Sequence, residues 1–368
     1  MERKPSHIIV AMSGGVDSSA AAALLKEQGH RVVGATMRLL GLEAGFGCCG
    51  STRDIEDARA VCETLDIPHY VLDFASEFQA KVRDPFVRSY LAGETPNPCI
   101  ACNRFIKFDA LMKKAGALGA DLVATGHYAR VVPDNGRLAL RRARDLAKDQ
   151  SYVLHHLGQK ELSRLIFPVG DLTKTEVRAA AARHGLKVAD KKESMEICFV
   201  PDRDAGAYVR SAEPSGAAAV RRGPIVDGKG RVLGRHKGTA FYTIGQREGL
   251  GISSGKPVYV VDLDSATNTI VVGSDEETWA RRFAVDDLVW TLGEPPSDIF
   301  EAEVQIRAHS PTAHCSIRVE GGVAVADAMD FPLRAVTPGQ SAVFYRGDAV
   351  IGGGTIRRGN SGTPYLIQ

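Results

Sequence analysis

The sequence lacks several features that would assign it to a class at once. No apolar stretch approaches the ~20 residues of a membrane span, and the first strand-like run begins early, without the layout of a signal peptide. We therefore expect a cytoplasmic protein that does not act at a membrane. The formal net charge of +2 does not indicate nucleic-acid binding, so any such surface must come from local basic patches. Neither an internal repeat nor a low-complexity tract is present.

Two further absences narrow the chemistry. Seven cysteines in 368 residues do not make a disulfide framework, so in a reducing compartment we expect each to be buried, metal-binding or reactive. A zinc site needs four ligands, and the sequence has no second C-x-x-C pair to complete one. The Walker-type motif G-x-x-x-x-G-K-[ST] is also absent.

What is present is an alternation of strand-like and helical segments in the first half. The strand-like runs are 7–12, 31–37, 69–73 and 121–125, and helical patterns cover 18–28, 54–65, 77–90 and 105–118. This rhythm predicts an α/β domain, a parallel sheet with helices on both faces. Ligands of such sheets bind at the carboxyl ends of the strands, so the motifs that end the first, second and fourth strands should converge.

The second half has a different character. Residues 129–142 predict a hairpin with its turn at 134–136. After about residue 205, Gly-rich turns and alternating Val/Ile runs predict β-rich structure, with paired strands around 267–268 and a small C-terminal barrel. We expect three domains, at 1–205, 206–280 and 281–368.

The most informative segment is Ser13-Gly-Gly-Val-Asp-Ser18, which directly follows the apolar run 8–12. A buried strand, a Gly-rich turn and a helix in this order aim backbone N–H groups at one small volume, which suits a phosphate or pyrophosphate. The two glycines permit the close backbone approach that such a cradle needs. Asp17 cannot bind an anion directly, so capping the helix and holding Mg²⁺ are the roles open to it.

Three cysteines stand out. Cys99 and Cys102 follow two prolines, which we expect to keep this segment out of helix until about Asn103. Cys102 would then lie at or near a helix N-terminus, where the helix dipole and nearby cations lower a thiol pKa. A redox dithiol, a metal half-site and a nucleophile all remain open for this pair, and Cys99, Cys102 and Cys198 could instead ligate an iron–sulfur cluster. We interpret Cys62 as a core residue and Cys315 as a core or neutral one. Cys48 and Cys49, in a Gly-rich loop, are interpreted as structural, with simple exposure as the alternative.

The segment 13–18 resembles the pyrophosphate loop of the PP-loop ATPases, which cleave ATP between the α- and β-phosphates and transfer AMP to an oxygen. With the Cys102 loop and the Cys198 run in this order, the whole chain resembles one family, the bacterial tRNA-specific 2-thiouridylases. Further segments that match the family are 47–50, 57–62, 125–130, 148–154, 172–178, 242–247 and 337–345. The resemblance implies an adenine nucleotide α-hydrolase-like first domain and a C-terminal barrel that contacts tRNA.

The resemblance also implies the chemistry, which is ATP-dependent 2-thiolation of the wobble uridine of tRNA anticodons. ATP, with Mg²⁺, would adenylate the C2 oxygen and release pyrophosphate, and AMP would leave when sulfur replaces that oxygen. A persulfide on Cys198 would supply the sulfur, and Cys102 would act as the nucleophile, by forming a disulfide with Cys198 or by attacking more directly. The implied partners are tRNA and a sulfur donor, either a cysteine desulfurase or a sulfur-relay protein.

Site residues follow from the resemblance position by position. ATP would contact Ala11, Met12, Ser13, Gly14, Gly15, Val16, Asp17, Ser18, Met37 and Gly126. The target base would meet Asn97, Pro98 and Cys99. The tRNA would contact His127, Lys148, Asp149, Gln150, Arg307 and Gln340. Lys174 suits a phosphate contact, although the capping-box pattern of Thr173 and Glu176 explains its segment equally well.

The chain departs from the family pattern at two points. Cys99 stands where the family commonly has an acidic residue, and a second thiol three residues from Cys102 could form a local disulfide or ligate a metal. The basic and aromatic stretch expected in the last domain is 306–309 here, of which only Arg307 carries over. Phosphate contacts could instead come from arginines 137, 141, 142, 144, 221 and 222.

Two other functions fit parts of the sequence. A PP-loop amidotransferase or ligase of the GMP- or NAD-synthetase kind would need ammonia delivery, and no glutaminase pattern is evident. A catalytically silent module that binds tRNA or a nucleotide would not need two reactive thiols.

Overall fold

The computed structural model describes residues 5–40, 50–191, 197–213, 215–253 and 255–359. The first seven strands are β1 (His7–Ala11), β2 (Arg31–Arg38), β3 (His69–Asp73), β4 (Leu122–Thr125), β5 (Ala129–Asp134), β6 (Arg137–Arg142) and β7 (Leu165–Ile166). Five of them form a parallel sheet in the order β3-β2-β1-β4-β7. The predicted parallel sheet is therefore confirmed.

Helices cover both faces of this sheet. They are α1 (Val16–Glu27), α2 (Thr52–Thr64), α3 (Ala75–Phe78), α4 (Asp84–Leu91), α5 (Pro98–Ala101), α6 (Leu111–Ala117), α7 (Gln159–Leu162) and α8 (Lys174–Arg183). Because side chains alternate along a strand, Ile8 and Val10 of β1 pack into one apolar cluster with α1, while Ile9 packs into a second cluster on the other face. Both faces of β1 are thus buried, as its continuous apolar run predicts.

Two stretches of π-helix interrupt the helices on one face. Gln79–Arg83 joins α3 to α4, and Cys102–Ala110 joins α5 to α6. The expectation that this segment stays out of helix until about Asn103 is wrong, since α5 begins at Pro98. Proline is favoured at the first helical position, where its missing N–H would have no partner in the helix.

The middle of the chain folds into a four-stranded sheet. Its strands are β8 (Gly223–Asp227), β9 (Val232–His236), β10 (Tyr259–Asp264) and β11 (Thr269–Gly273), and the helix α9 (Ala205–Ala212) precedes them. The strand order is β10-β11-β8-β9. The predicted pairing around residues 267–268 is confirmed as the antiparallel β10–β11 hairpin.

The last domain is a closed barrel. Its strands are β12 (Trp279–Ala280), β13 (Arg282–Trp290), β14 (Ile299–Gln305), β15 (Ala313–Glu320), β16 (Val323–Ala328), β17 (Leu333–Arg334), β18 (Ser341–Arg346) and β19 (Ala349–Ile356). Six strands follow one another as β13-β16-β15-β14-β18-β19, and β19 pairs back onto β13, which closes the circle. The predicted barrel is confirmed.

The hairpin β5–β6 links the first domain to the barrel. Its turn lies at Asn135 and Gly136, both with positive φ, as the Asn-Gly signature predicts. The hairpin pairs with β19 through Arg141 and Ala349. It therefore extends the sheet of the barrel rather than the parallel sheet beside it in the sequence. No helix in the described part of the chain is long and apolar enough to cross a membrane.

Candidate active site

The Gly-rich loop between β1 and α1 has the geometry of an anion cradle. Gly14 has a φ of +68°, and a Cβ there would lie 2.5 Å from the carbonyl oxygen of Asp54, so only glycine fits. The Ser13 backbone N–H donates to Ser18 Oγ at 3.2 Å. Gly15 is the N-cap of α1 and makes no side-chain cap bond. The first turn of α1 thus presents backbone N–H groups that a phosphate would satisfy.

The ends of neighbouring strands meet this loop. Ala11 at the end of β1 pairs with Ala35 of β2 and with Thr125 of β4. Gly126 follows β4 so closely over the start of α1 that a Cβ there would lie 2.5 Å from the backbone nitrogen of Ser18. Met37 is buried at the end of β2. The structure therefore brings the predicted ATP-contact segments to one edge of the sheet, while their contact with ATP stays a prediction.

Asp17 does not cap its helix. Its carboxylate accepts hydrogen bonds from Lys174 Nζ at 2.7 and 2.9 Å and from Tyr128 Oη at 2.8 Å. The capping alternative for Asp17 is wrong, because Gly15 occupies the N-cap position. The predicted capping box of Thr173 and Glu176 is confirmed at the start of α8. It fixes the first turn of this helix, from which Lys174 reaches Asp17.

Cys99 and Cys102 lie one helical turn apart. Asn97 caps α5 by accepting from the Cys99 backbone N–H at 3.1 Å. Cys99 is exposed and Cys102 is buried. Since the helix begins at Pro98 and not near Asn103, Cys102 lies four residues after its start, about one turn further along than the sequence predicts. Cys102 instead opens the π-helical stretch, a kind of helix distortion that is frequent at functional sites.

The segment before these thiols is held by both other domains. The Thr95 backbone N–H donates to the Pro338 carbonyl at 2.9 Å, and Gln340 Nε2 donates to the Thr95 carbonyl at 2.7 Å. The Thr95 hydroxyl lies 3.3 Å from that of Thr243. The barrel and the central domain therefore fix where the helix of Cys102 begins.

Cys198 lies against the same apolar cluster that contains Cys102. Its neighbour Phe199 makes edge-on ring contacts with Phe78 and Phe86 at 5.5 and 5.2 Å, which brings this segment to the helices beside α5. In the part of the chain that the structure describes, no disulfide joins the cysteines to one another. Residues 41–49, with Cys48 and Cys49, lie outside the described residues, as do residues 192–196.

The structure does not support the iron–sulfur alternative. Among the described residues, no three His, Cys, Asp or Glu side chains are grouped to hold a metal ion, so Cys99, Cys102 and Cys198 do not form a ligand set. The physical reason is the burial of Cys102 in the apolar cluster while Cys99 faces solvent, whereas a cluster needs its thiolates directed at one point.

His127 is buried beside the end of β4. Its Nδ1 lies 2.7 Å from Thr125 Oγ1, and its Nε2 lies 3.5 Å from Lys107 Nζ. Burial, with a smaller contribution from Lys107, lowers the pKa of His127 well below its ordinary value, so the ring is neutral at pH 7. Lys107 belongs to the same π-helical stretch as Cys102. Its contact with His127 therefore links that stretch to the edge of the sheet where the Gly-rich loop lies.

The segment 148–150 is linked to the Gly-rich loop through Tyr128. Asp149 accepts from the Ala143 N–H at 2.9 Å and from Ser151 Oγ at 2.7 Å, and its side chain is only 6% exposed. Gln150 Oε1 accepts from the Tyr128 N–H at 3.0 Å, and Lys148 is half-buried beside them. Gln150 therefore holds Tyr128 and Asp149 holds the backbone around it, and the contact of these residues with tRNA stays a prediction.

Arg307 and Gln340 lie where the barrel meets its neighbours. Arg307 Nη2 donates to the carbonyls of Ile244 and Ala335, each at 3.0 Å, and to Thr337 Oγ1 at 2.7 Å. Gln340 binds the segment before Cys99, as described above. Both residues therefore hold domains together, and their contact with tRNA stays a prediction.

Comparison with known proteins decides the family. Three family models match, namely the tRNA methyl transferase HUP domain at residues 6–202, the tRNA methyl transferase PRC-barrel domain at 216–274 and the aminomethyltransferase beta-barrel domain at 280–356. The tRNA-specific 2-thiouridylase of Chloroflexus aurantiacus is 50% identical, over 96% of this chain and 99% of its own. That of Moorella thermoacetica is 50% identical, over 95% and 98%, and that of Lachnoclostridium phytofermentans is 47% identical, over 95% and 99%.

The chain belongs to the tRNA-specific 2-thiouridylase family. The descriptions of the family models speak of methyl transfer, whereas the relatives matched over their full length are thiouridylases. Identity near one half along the whole chain is the more specific observation, so we adopt the thiouridylase assignment. The resemblance seen in the sequence is thereby confirmed.

Two residues of this thiouridylase site escaped the sequence reasoning. Tyr128 lies in a segment that matches the family, but the sequence predicts no role for it. In the structure its hydroxyl donates to the Asp17 carboxylate. Lys191 Nζ donates to the Gly14 carbonyl at 3.0 Å, to Asp54 at 3.0 Å and to Asp57 at 2.6 Å. A lone lysine 177 positions from its partner carries no local signal, so only the tertiary structure could reveal it.

Four of the arginines expected to contact phosphate are engaged by the protein itself. Arg141 and Arg142 pair with Asp348 and Asp149 at 2.7 and 3.0 Å. The other two, Arg137 and Arg144, pair with Glu294 at 3.8 Å and with Glu176 at 3.3 Å. This cluster stabilises the hairpin and its neighbours, which weakens its candidacy as a phosphate-binding surface.

Proposed function

We propose that this protein is an ATP-dependent tRNA sulfurtransferase, which replaces the 2-oxygen of the wobble uridine with sulfur. The observation that carries the proposal is identity near 50% with thiouridylases over almost the full length, in a chain that keeps the Gly-rich loop, Cys102 and Cys198. The amidotransferase and the silent-module alternatives have no comparable support.

ATP is proposed to bind with its phosphates over the first turn of α1. The N–H groups there and the hydroxyls of Ser13 and Ser18 are the donors. Asp17 is the carboxylate that would hold Mg²⁺, whose charge would offset that of the phosphates. Lys174 Nζ lies 2.7 Å from the Asp17 carboxylate, so its positive charge would help Mg²⁺ to offset the charge of the phosphates.

Adenylation would convert the C2 oxygen of the uridine into a leaving group, and AMP would depart when sulfur attacks. In one route, the Cys102 thiolate attacks the inner sulfur of a Cys198 persulfide, forms the Cys102–Cys198 disulfide and releases sulfide, which attacks C2. A reductant must then restore both thiols. In the other route, the terminal sulfur of the Cys198 persulfide attacks C2 and AMP leaves. The Cys102 thiolate then attacks the Cys198 sulfur and breaks the S–S bond, which leaves the terminal sulfur on C2 and forms the same disulfide. Both routes require the two thiols to meet beside the adenylated base.

Single substitutions test these roles. The protein is incubated with ATP, unmodified tRNA and a ³⁵S-labelled persulfide donor, and 2-thiouridine is quantified after nuclease digestion. We expect Cys102→Ala and Cys198→Ala each to abolish labelling while ATP affinity stays within about two-fold, because neither thiol lies in the Gly-rich loop.

Cys99→Asp is the matched control, since it alters the third thiol of the same region and introduces the acidic residue common in the family. This variant should keep its labelling activity. Full activity in either alanine variant would remove that thiol from the mechanism, and loss of activity in Cys99→Asp would give the third thiol a role that the proposal does not contain.

A further inference from the structure

Positive charge is concentrated in one segment, residues 203–256, whereas residues 257–280 of the same domain have five acidic residues and no basic one. Between residues 203 and 256 the chain has ten arginines and lysines against four acidic residues, a formal net charge of +6, whereas the whole chain has +2. All ten basic residues are exposed. A local excess of this size on a nearly neutral protein is typical of a surface that meets a polyanion.

Four of these cations lie on elements that pack directly against one another. Arg210 is on α9, Arg221 and Arg222 follow the 3₁₀ turn Ala218–Val220, and Lys237 precedes the 3₁₀ turn Thr239–Phe241. The two turns touch, since a Cβ at Gly238 would lie 2.7 Å from the Ala219 carbonyl oxygen. The four cations therefore lie on neighbouring elements, and we call them the central basic patch.

An aromatic side chain lies within this patch. Phe241 is half-buried, with its ring against the backbone of α9 at Gly206. The Arg210 guanidinium carbon lies 5.1 Å and Lys237 Nζ lies 4.5 Å from the ring centre. The acidic neighbour is Asp204, which is 4.0 Å from Lys237 and also caps α9. Cations around an aromatic ring are a common composition of RNA-binding surfaces.

The central basic patch is close to Cys198. Helix α9 begins seven residues after this thiol, and Tyr208 of α9 contacts the Phe199 ring at 5.3 Å. Arg83 Nε donates to Tyr208 Oη at 2.6 Å, which fastens α9 to the helices beside α5. A macromolecule that presents its base to the two thiols would therefore have its backbone within reach of α9.

We propose that the central basic patch, formed by Arg210 and Lys237 at Phe241 and by the neighbouring Arg221 and Arg222, binds the phosphate backbone of the tRNA while the target base is in the active site. The inference rests on the proposed function for the identity of the RNA. Phosphate contacts position a nucleic acid without reading its sequence, so the patch contributes affinity and orientation rather than a choice among tRNAs.

The test is the salt dependence of tRNA binding by the full-length protein. Unmodified tRNA is titrated at several salt concentrations with the wild type and with the variant R210Q/R221Q/R222Q/K237Q. Losing four phosphate contacts should lower the slope of log K against log salt by about 3, and affinity near 0.1 M salt should fall about ten- to hundred-fold. The variant R210K/R221K/R222K/K237R, which keeps the charge, should retain the wild-type slope.

A second control removes four exposed cations elsewhere, in the variant K114Q/K160Q/K187Q/R318Q, and should leave the slope within about one unit of the wild type. An equal loss of slope in this control would overturn the proposal, since net charge alone would then explain the effect. The patch would also be refuted if the first variant kept its tRNA affinity but no longer accepted sulfur from the donor protein, because the surface would then dock that protein.

The two proposals can fail separately. A wild type that makes 2-thiouridine, combined with an unchanged salt slope in the four-glutamine variant, refutes the patch and leaves the proposed function standing. A wild type that binds tRNA through the patch but makes no 2-thiouridine refutes the function and leaves the surface standing.

Discussion

At the scale of single residues, Lys191 shows how a charged side chain stabilises a catalytic loop. Its ammonium group joins the Gly14 carbonyl to two carboxylates of α2, Asp54 and Asp57. The Asp54 side chain is only 11% exposed, so without its cation it would be a poorly solvated charge. Lys191 thus holds the left-handed turn at Gly14 against the start of α2.

Replacing Lys191 should therefore lower stability. We expect Lys191→Met to reduce the free energy of unfolding by about 1.5–3 kcal/mol, the usual worth of hydrogen bonds to charged groups, as measured by urea titration. Lys187→Met is the control, because Lys187 is an exposed lysine in the turn just before and its loss should change stability by less than about 0.5 kcal/mol. Equal effects of the two substitutions would contradict this account.

At the scale of elements, the helix that carries Cys99 and Cys102 depends on its first residues. Asn97 supplies the cap, Pro98 occupies the first helical position, and the π-helical stretch begins at Cys102. Local sequence signals placed the start of this helix near Asn103 because prolines usually end helices. The cap could have been foreseen, since Asn followed by Pro is a signature of a helix start.

Asn97 has two proposed roles, and substitutions can separate them. Asn97→Ala should cost about 1 kcal/mol of stability through loss of the cap, whereas Asn97→Ser keeps a capping oxygen and should cost only a few tenths. Thermal unfolding measures the cap, and the KM for tRNA measures the contact with the base. If Asn97 touches the target base, Asn97→Ser should raise that KM although stability is retained; an unchanged KM would leave Asn97 as a cap alone.

At the scale of the whole molecule, the three domains are joined through shared packing. The apolar cluster of the parallel sheet includes Tyr345 and Val350 of the barrel, and the Arg142 guanidinium carbon lies 3.8 Å from the centre of the Tyr345 ring. Asp348 accepts from Arg130 and Arg141 at 2.7 Å each. The barrel is therefore packed and ion-paired against the first domain, which fits its part in fixing the segment before Cys99.

Buried histidines lie near this junction and make its stability sensitive to acid. Burial lowers the pKa of His155 to about 4 and the pKa of His156 well below 6.5. In the part of the chain that the structure describes, neither ring nitrogen of His156 has a hydrogen-bond partner. The unfolded chain binds protons at these rings near pH 6.5 and the folded chain does not, so stability is full above pH 6.5 and declines between pH 6.5 and 4.

His156→Leu tests this pH dependence. The substitution removes a buried polar ring without partners, so the variant should be at least as stable as the wild type at pH 7.5. Its melting temperature should fall less than that of the wild type between pH 7.5 and 5, because one fewer ring takes up a proton on unfolding. Identical melting profiles over this range would exclude His156 as a source of the acid sensitivity.

The sequence by itself determined the elements that depend on near neighbours. The parallel sheet, the hairpin at Asn135, the capping box at Thr173 and the Gly-rich loop all follow from the period of apolar residues or from turn chemistry, which act over a few positions. Only the tertiary structure decided that Lys174 and Tyr128 share Asp17, that Lys191 binds Gly14, and that Arg210 and Lys237 meet at Phe241. These contacts join positions far apart in the chain, and which distant side chains meet is decided by how whole elements pack, which no local pattern encodes.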